Sequence, residues 1–95
     1  MPEINSNIQW PDGTTQSCYS PSLVVKKYFD PEATYSLTEF VEKSRTALNI
    51  ASDRVQKAYG FPCSRALGQL KQIESKAKEY ENLSEPKVIF LDFVE

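Results

Sequence analysis

The sequence predicts an α+β domain: a two-layer β-β-α-α-α-β chain whose small, mainly antiparallel three-stranded sheet carries its helices on one face. Three observations point there. Residues 3–10 alternate, with Ile4, Ile8 and Trp10 on one side (Ser6 among them) and Glu3, Asn5, Asn7 and Gln9 on the other, the pattern of a half-buried strand. From residue 37, Leu37, Phe40, Val41, Ser44, Leu48, Ala51, Val55 and Ala58 recur on one side at about 100° per residue, the spacing of an amphipathic helix. Residues 87–94 form a strand-length apolar run after the loop-forming segment 81–86.

The elements follow in order. Trp10-Pro11-Asp12-Gly13 supplies turn chemistry: proline presets φ, aspartate bonds locally, and glycine accepts positive φ. Residues 14–19 then return as a second strand, so 3–19 is a hairpin. Ser20 is a good N-cap and Pro21 a good first helical residue, which predicts a short helix ending before Pro31. The β-branched pair Val24-Val25 makes a strand extension the rival reading. Ser36-Leu37-Thr38-Glu39 is a capping box, with Tyr35 and Phe40 placed as a hydrophobic staple, and Gly60 is placed to end that helix. A third helix starts near Pro62 and runs to about Tyr80, its apolar side made of Cys63, Ala66, Leu67, Leu70, Ile73 and Ala77. In the last strand Ile89, Leu91 and Phe93 form one row and Val88, Phe90 and Val94 the other.

Composition narrows the function. The 95 residues are read as a single domain, 1–95, with 40% hydrophobic and 25% charged residues. No apolar run approaches the ~20 residues of a membrane span, and the first ten residues lack the pattern of a secretory leader, so a cytoplasmic protein is expected. There is no histidine, which removes the commonest general base and metal ligand. Two cysteines cannot fill a zinc site of about four ligands, so no metal or other cofactor is expected. In a reducing compartment they read as free thiols rather than a bridge. Nothing spaces a nucleophile, base and orienting group, so an enzyme is not expected.

Charge is unevenly spread. Residues 1–39 hold two Lys against five acids, residues 40–78 eight Lys/Arg against three acids, and residues 79–95 one Lys against five acids. A basic helical middle lies between acidic ends. This is either a solvated helix surface or a face for an anion or acidic partner.

Five stretches carry a family resemblance: WPDG at 10–13, CYSPSLVVK at 18–26, Y-x-L-x-x-F-V at 35–41, AS-x-R-V at 51–55 and YGF-x-CSRALGQL at 59–70. In them the chain resembles a family of small bacterial nitrogen-starvation-response proteins encoded in gene clusters around a nitrilase. The resemblance implies a cytoplasmic accessory or regulatory role in nitrile or nitrogen-limitation metabolism. It brings no reaction, ligand or catalytic residue with it.

Two groups of residues are candidates for a site. Cys18, Ser20 and Ser22 precede one expected helix, and Cys63, Ser64 and Arg65 open another. Two helix starts rich in hydroxyls and N–H groups could hold an anion if they meet, and Arg65 near Cys63 could support a thiolate. Against this, capping accounts for the serines, and Cys63 shares a side with Leu67 and Leu70, where a thiol is a small hydrophobe. Cys18 reads equally as core or as the lip of a cleft.

The second group is an interaction surface. Lys43, Arg54 and Lys57 flank Ile50 on the long helix, suiting an acidic partner. They are too few, and lack interleaved aromatics, for nucleic acid. Val88 and Phe90 form an apolar row facing the side that the first strand leaves polar. If the short helix or the chain end does not cover them, they mark a homodimer or a protein partner. A small accessory or regulatory interaction protein is therefore the leading expectation, and an anion, metabolite or thiol sensor at 20–22 and 62–66 the alternative.

Overall fold

Strands β1 (Ile4–Gln9) and β2 (Thr15–Ser20) form the expected hairpin in the computed structural model, which describes residues 3–94. Ile4, Ser6 and Ile8 of β1 are buried while Asn5, Asn7 and Gln9 stay part-exposed, as the alternation requires. The turn closes through Trp10 N–H to Thr14 O at 2.8 Å and Gly13 N–H to Trp10 O at 2.9 Å, with Gly13 at φ 90°. The Thr14 hydroxyl and N–H both donate to Asp12 Oδ1, at 2.7 and 3.1 Å, and hold that carboxyl below its ordinary range.

The α+β class is as expected, but the element list changes at two places. Residues 23–27 form a 3-10 helix, Leu23–Lys27, not an α-helix. Its N-cap is Ser22, whose side chain accepts from Val24 N–H, rather than Ser20. Five residues with Val24-Val25 at the centre are too few and too β-branched to propagate an α-helix. A fourth strand, β3 (Ala33–Ser36), then pairs antiparallel with the last strand. The sheet therefore has four strands, all antiparallel, in the order β2-β1-β4-β3.

Helix α1 (Leu37–Tyr59) starts and stops where local chemistry directs. Ser36 Oγ accepts from Glu39 N–H at 3.1 Å, and Gly60 closes the far end at φ 87° with its N–H on Gln56 O at 2.8 Å. Its buried side runs from Leu37 through Phe40, Ser44, Ala47, Leu48 and Ala51 to Ser52. Val55 is only half-buried and Ala58 exposed, so the last two turns run past the core. Helix α2 (Ser64–Lys78) buries Ala66, Leu70, Ile73 and Ala77 at steps of four, three and four. Leu67, expected inside, lies on the flank of that stripe and remains 38% exposed.

Strand β4 (Lys87–Val94) corrects the most pointed expectation. Val88 and Phe90 are not an open apolar row: they are 0% and 2% exposed and form the inward row. Ile89 and Leu91 take the opposite face and are part-exposed. A bulge at Leu91 explains why Phe93 does not follow them. Asn7 pairs with Asp92 and Ile8 with Phe90, so Leu91 is the extra residue and the side-chain parity flips beyond it. Phe93 returns to the core side, while Asp92 Oδ1 accepts from Asn7 Nδ2 at 2.8 Å on the wet face.

The helices cover one face of the sheet and the aromatic side chains fill the space between. Phe29, just beyond the 3-10 helix, stacks on Phe90 with centroids 4.9 Å apart and covers it. Phe29 also meets Tyr35 edge-on at 5.4 Å, and Trp10 stacks on Tyr80 at 5.7 Å while meeting Phe40 edge-on at 5.7 Å. Each such pair adds about 0.5–1.5 kcal/mol beyond area burial. The loop after the hairpin is thus tied to the core through Phe29 and Tyr35, and Tyr35 Oη accepts from Asp30 N–H at 2.8 Å.

Candidate functional site

The end of β2 and the start of α2 do meet, with the candidate Arg65 on one side and with Tyr19 and Gln69, which the sequence does not single out, completing the contact. Arg65, in the first turn of α2, lies with its guanidinium carbon 3.8 Å from the centre of the Tyr19 ring. One turn on, Gln69 Oε1 accepts from Tyr19 N–H at 3.0 Å. Gln69 thereby caps an outward-facing donor on the edge strand β2, which protects that edge. Arg65 is also 3.9 Å from Glu3, an exposed and weak ion pair. Burial raises the Tyr19 phenol above its ordinary range, and the neighbouring Cys63 adds to this.

The other candidates at this junction are already engaged in the fold. Ser20 Oγ–H donates to Ser22 O at 2.8 Å and accepts from Ser22 N–H at 3.3 Å. Ser22 Oγ accepts from Val24 N–H at 3.3 Å and from Arg54 Nη1–H at 3.2 Å. Both serines are buried. Cys63 is the N-cap of α2 without a side-chain cap bond, and its own N–H donates to Ser52 Oγ of α1 at 3.2 Å. Its side chain packs partly buried against the main core cluster, while Ser64 is exposed. Cys18 packs against the same cluster, and burial pushes its thiol up to about 12. Both cysteines are free thiols. Chemically, Cys18 is protonated at neutral pH and is a poor nucleophile. The hydroxyls at 20 and 22 act as internal caps.

The basic flank of α1 is similarly resolved into separate roles. Arg54 reaches Ser22 and so fastens the 3-10 helix to α1. Lys43 Nζ lies 5.7 Å above the Tyr35 ring. Ile50 is half-buried and Lys57 is exposed. Val88 and Phe90 belong to the core and leave this group altogether.

What the sequence reading missed is the apolar surface at the tip of the α1–α2 hairpin. Tyr59 is 58% exposed and Phe61 64% exposed, with the exposed Pro62 between them and α2, and Leu67 on the outer flank of α2. The 53–71 segment that carries this tip holds Arg54, Lys57, Arg65 and Lys71 against one acid, Asp53. The signal was present in YGFP: three apolar residues and the helix-ending glycine, placed where neither helix stripe continues. Other large apolar residues at the surface, Leu83 and Val94 at 50% each, stand on separate elements.

Among the described residues no helix is long and apolar enough to cross a membrane. The family described as nitrogen starvation-induced protein NitG matches residues 5–93, nearly the whole chain. The chain belongs to the nitrogen starvation-induced NitG family. The matched span runs from Asn5 of β1 through Phe93, so the Tyr19–Arg65 junction, the bulge at Leu91 and the hairpin tip all lie within the family region. No curated protein and no solved structure matches the chain.

Proposed function

We propose that this chain is a small accessory protein of the nitrogen-limitation response that acts in the cytoplasm by binding another protein, not by catalysis. The observation that carries this reading is the tip of the α1–α2 hairpin. In a chain that buries Trp10, Phe29, Phe40 and Phe90 almost completely, Tyr59 and Phe61 are left more than half exposed. Exposed aromatics grouped with a proline and a flanking leucine are the composition of an interface core, and Arg is enriched in such surfaces. The cationic balance of the 53–71 segment favours a partner with an apolar cleft and an acidic rim. Membership of a family induced by nitrogen starvation supplies the setting.

The reading is tested by affinity capture from nitrogen-starved cells, with the wild-type chain and Phe61→Ser run side by side at low and high salt. The expected result is a discrete set of proteins retained by the wild type, weakened by salt and lost by the variant. Equal retention by both chains at both salts overturns it.

A further inference from the structure

The sequence holds one Asp-Gly pair, Asp12-Gly13, and it lies in the turn between β1 and β2. Both residues are exposed. Such a pair has a chemistry of its own. The Gly13 nitrogen can lose its proton and attack Asp12 Cγ. A C–N bond forms, one carboxyl oxygen leaves as water with that proton and the carboxyl proton, and a five-membered succinimide results. Water then opens the ring at either carbonyl. One opening restores aspartate; the other leaves isoaspartate, whose main chain runs through the side-chain carbon. Water is the one co-reactant, released in the first step and taken up in the second. Glycine favours the attack because it has no Cβ to crowd the ring.

The folded turn opposes each part of that reaction. The attacking Gly13 N–H donates to Trp10 O at 2.9 Å, so the proton that must leave is held. The carboxyl is tied in the other direction along the chain: Asp12 Oδ1 accepts from the Thr14 hydroxyl at 2.7 Å and from Thr14 N–H at 3.1 Å. Those two bonds favour the ionised carboxylate, whereas water leaves from the protonated acid. All the partners lie within residues 10–14, so opening this one turn releases them together.

We propose that Asp12-Gly13 is a latent isoaspartate-forming site, closed by the folded turn and reactive when the hairpin opens. The consequence reaches the core. Isoaspartate adds one carbon to the main chain between Trp10 and Thr14, whose N–H to O bond of 2.8 Å closes the turn. Trp10 is 2% exposed and stacks on Tyr80, and its indole N–H donates to Gln16 Oε1 at 2.8 Å across the hairpin. A change at the exposed turn therefore works against the seat of a buried tryptophan.

The test follows isoaspartate at residue 12 during long incubation at neutral pH, by peptide mapping with electron-transfer fragmentation. The wild-type chain is incubated folded in buffer and unfolded in guanidinium chloride. The expected result is steady accumulation in the unfolded chain and accumulation at least about tenfold slower in the folded one, since an exposed turn opens more readily than the core but stays closed most of the time. Equal rates in the two states, or no isoaspartate in the unfolded chain, overturn the proposal. Thr14→Val gives a second readout. It removes the hydroxyl donor and keeps the N–H, so the folded variant is expected to react faster than the folded wild type and at the wild-type rate when unfolded. A folded Thr14→Val that reacts no faster than the wild type counts equally against the site. Should the variant not fold, the two wild-type rates decide alone.

Discussion

The guanidinium of Arg65 stacks over the ring of Tyr19 with 3.8 Å between its carbon and the ring centre. This contact, with the Gln69–Tyr19 hydrogen bond, is how the two cysteine-bearing segments of the chain are joined. Removing it in Arg65→Ala is expected to cost about 0.5–1 kcal/mol, the value of an exposed cation–π contact. The Glu3 partner adds little, because both side chains are mostly in water. Urea melts should therefore show a lowered midpoint for Arg65→Ala and almost no change for Glu3→Gln. Equal losses in both would place the energy in the ion pair instead.

Phe29 is predicted to be the most sensitive residue outside the regular elements. It stacks on Phe90 and meets Tyr35 and Phe40, so Phe29→Ala leaves a hole under β4. The expected loss is about 3–5 kcal/mol, a large part of the whole stability of a domain this size. Chemical denaturation would show it. A loss below about 1 kcal/mol would mean that the loop does not close the core.

The ends of α1 give smaller, opposed tests of local chemistry. Ser36→Ala removes the acceptor for Glu39 N–H and is expected to cost about 1 kcal/mol. Gly60→Ala places a side chain at φ 87°, where there is open space but a strained backbone, and should cost about 1 kcal/mol. Thermal melts of the two variants should shift downward by about 4–8 °C each. An unshifted Gly60→Ala melt would contradict the left-handed cap.

These cap and turn positions were legible in the sequence because each depends on a few adjacent residues. Ser36-x-x-Glu39, Gly60 and Trp10-Pro11-Asp12-Gly13 all do what their local chemistry indicates. The features missed depend on distant partners. Ala33–Ser36 is only four residues long and becomes a strand because β4 is there to pair with it. The inward row of β4 cannot be read past Leu91, since the bulge is fixed by register against β1. The hairpin tip is exposed because α1, about 35 Å long at 23 residues, outruns the core, and no local motif states that length relation. Of the candidate thiol and anion residues, Ser22, Cys63, Ser64 and Arg65 lie at helix starts while Cys18 and Ser20 end β2, and the contacts they make are set by Tyr19, Ser52 and Arg54, which are distant in sequence.

Cys18 gives the pH prediction. Its folded-state thiol titrates at about 12 because it is buried, well above the 9.0 of a free thiol. The folded state therefore keeps its proton where the unfolded chain has lost it. This contribution to stability is intact below about pH 9 and is lost progressively as pH rises toward 12, at up to about 1.4 kcal/mol per pH unit. Comparing the wild type with Cys18→Ala between pH 7.5 and 10.5 isolates it, since the other titrating groups are shared. The wild type should lose stability faster than the variant in the alkaline limb, and Cys18 should resist alkylation until the chain unfolds. Parallel curves and ready alkylation of the folded chain would contradict a buried thiol.

The most direct test of the binding account compares two exposed apolar sites on one chain. Phe61→Ser alters the hairpin tip, and Leu83→Ser alters a residue of similar exposure on the loop before β4. Both variants should melt within a degree or two of the wild type, since surface changes of this kind cost little. In quantitative capture from nitrogen-starved cells, Phe61→Ser should lose the proteins that the wild type retains, and Leu83→Ser should keep them. Retention of the same proteins by folded Phe61→Ser, or their loss with Leu83→Ser alone, would contradict the assignment of the binding surface to the tip.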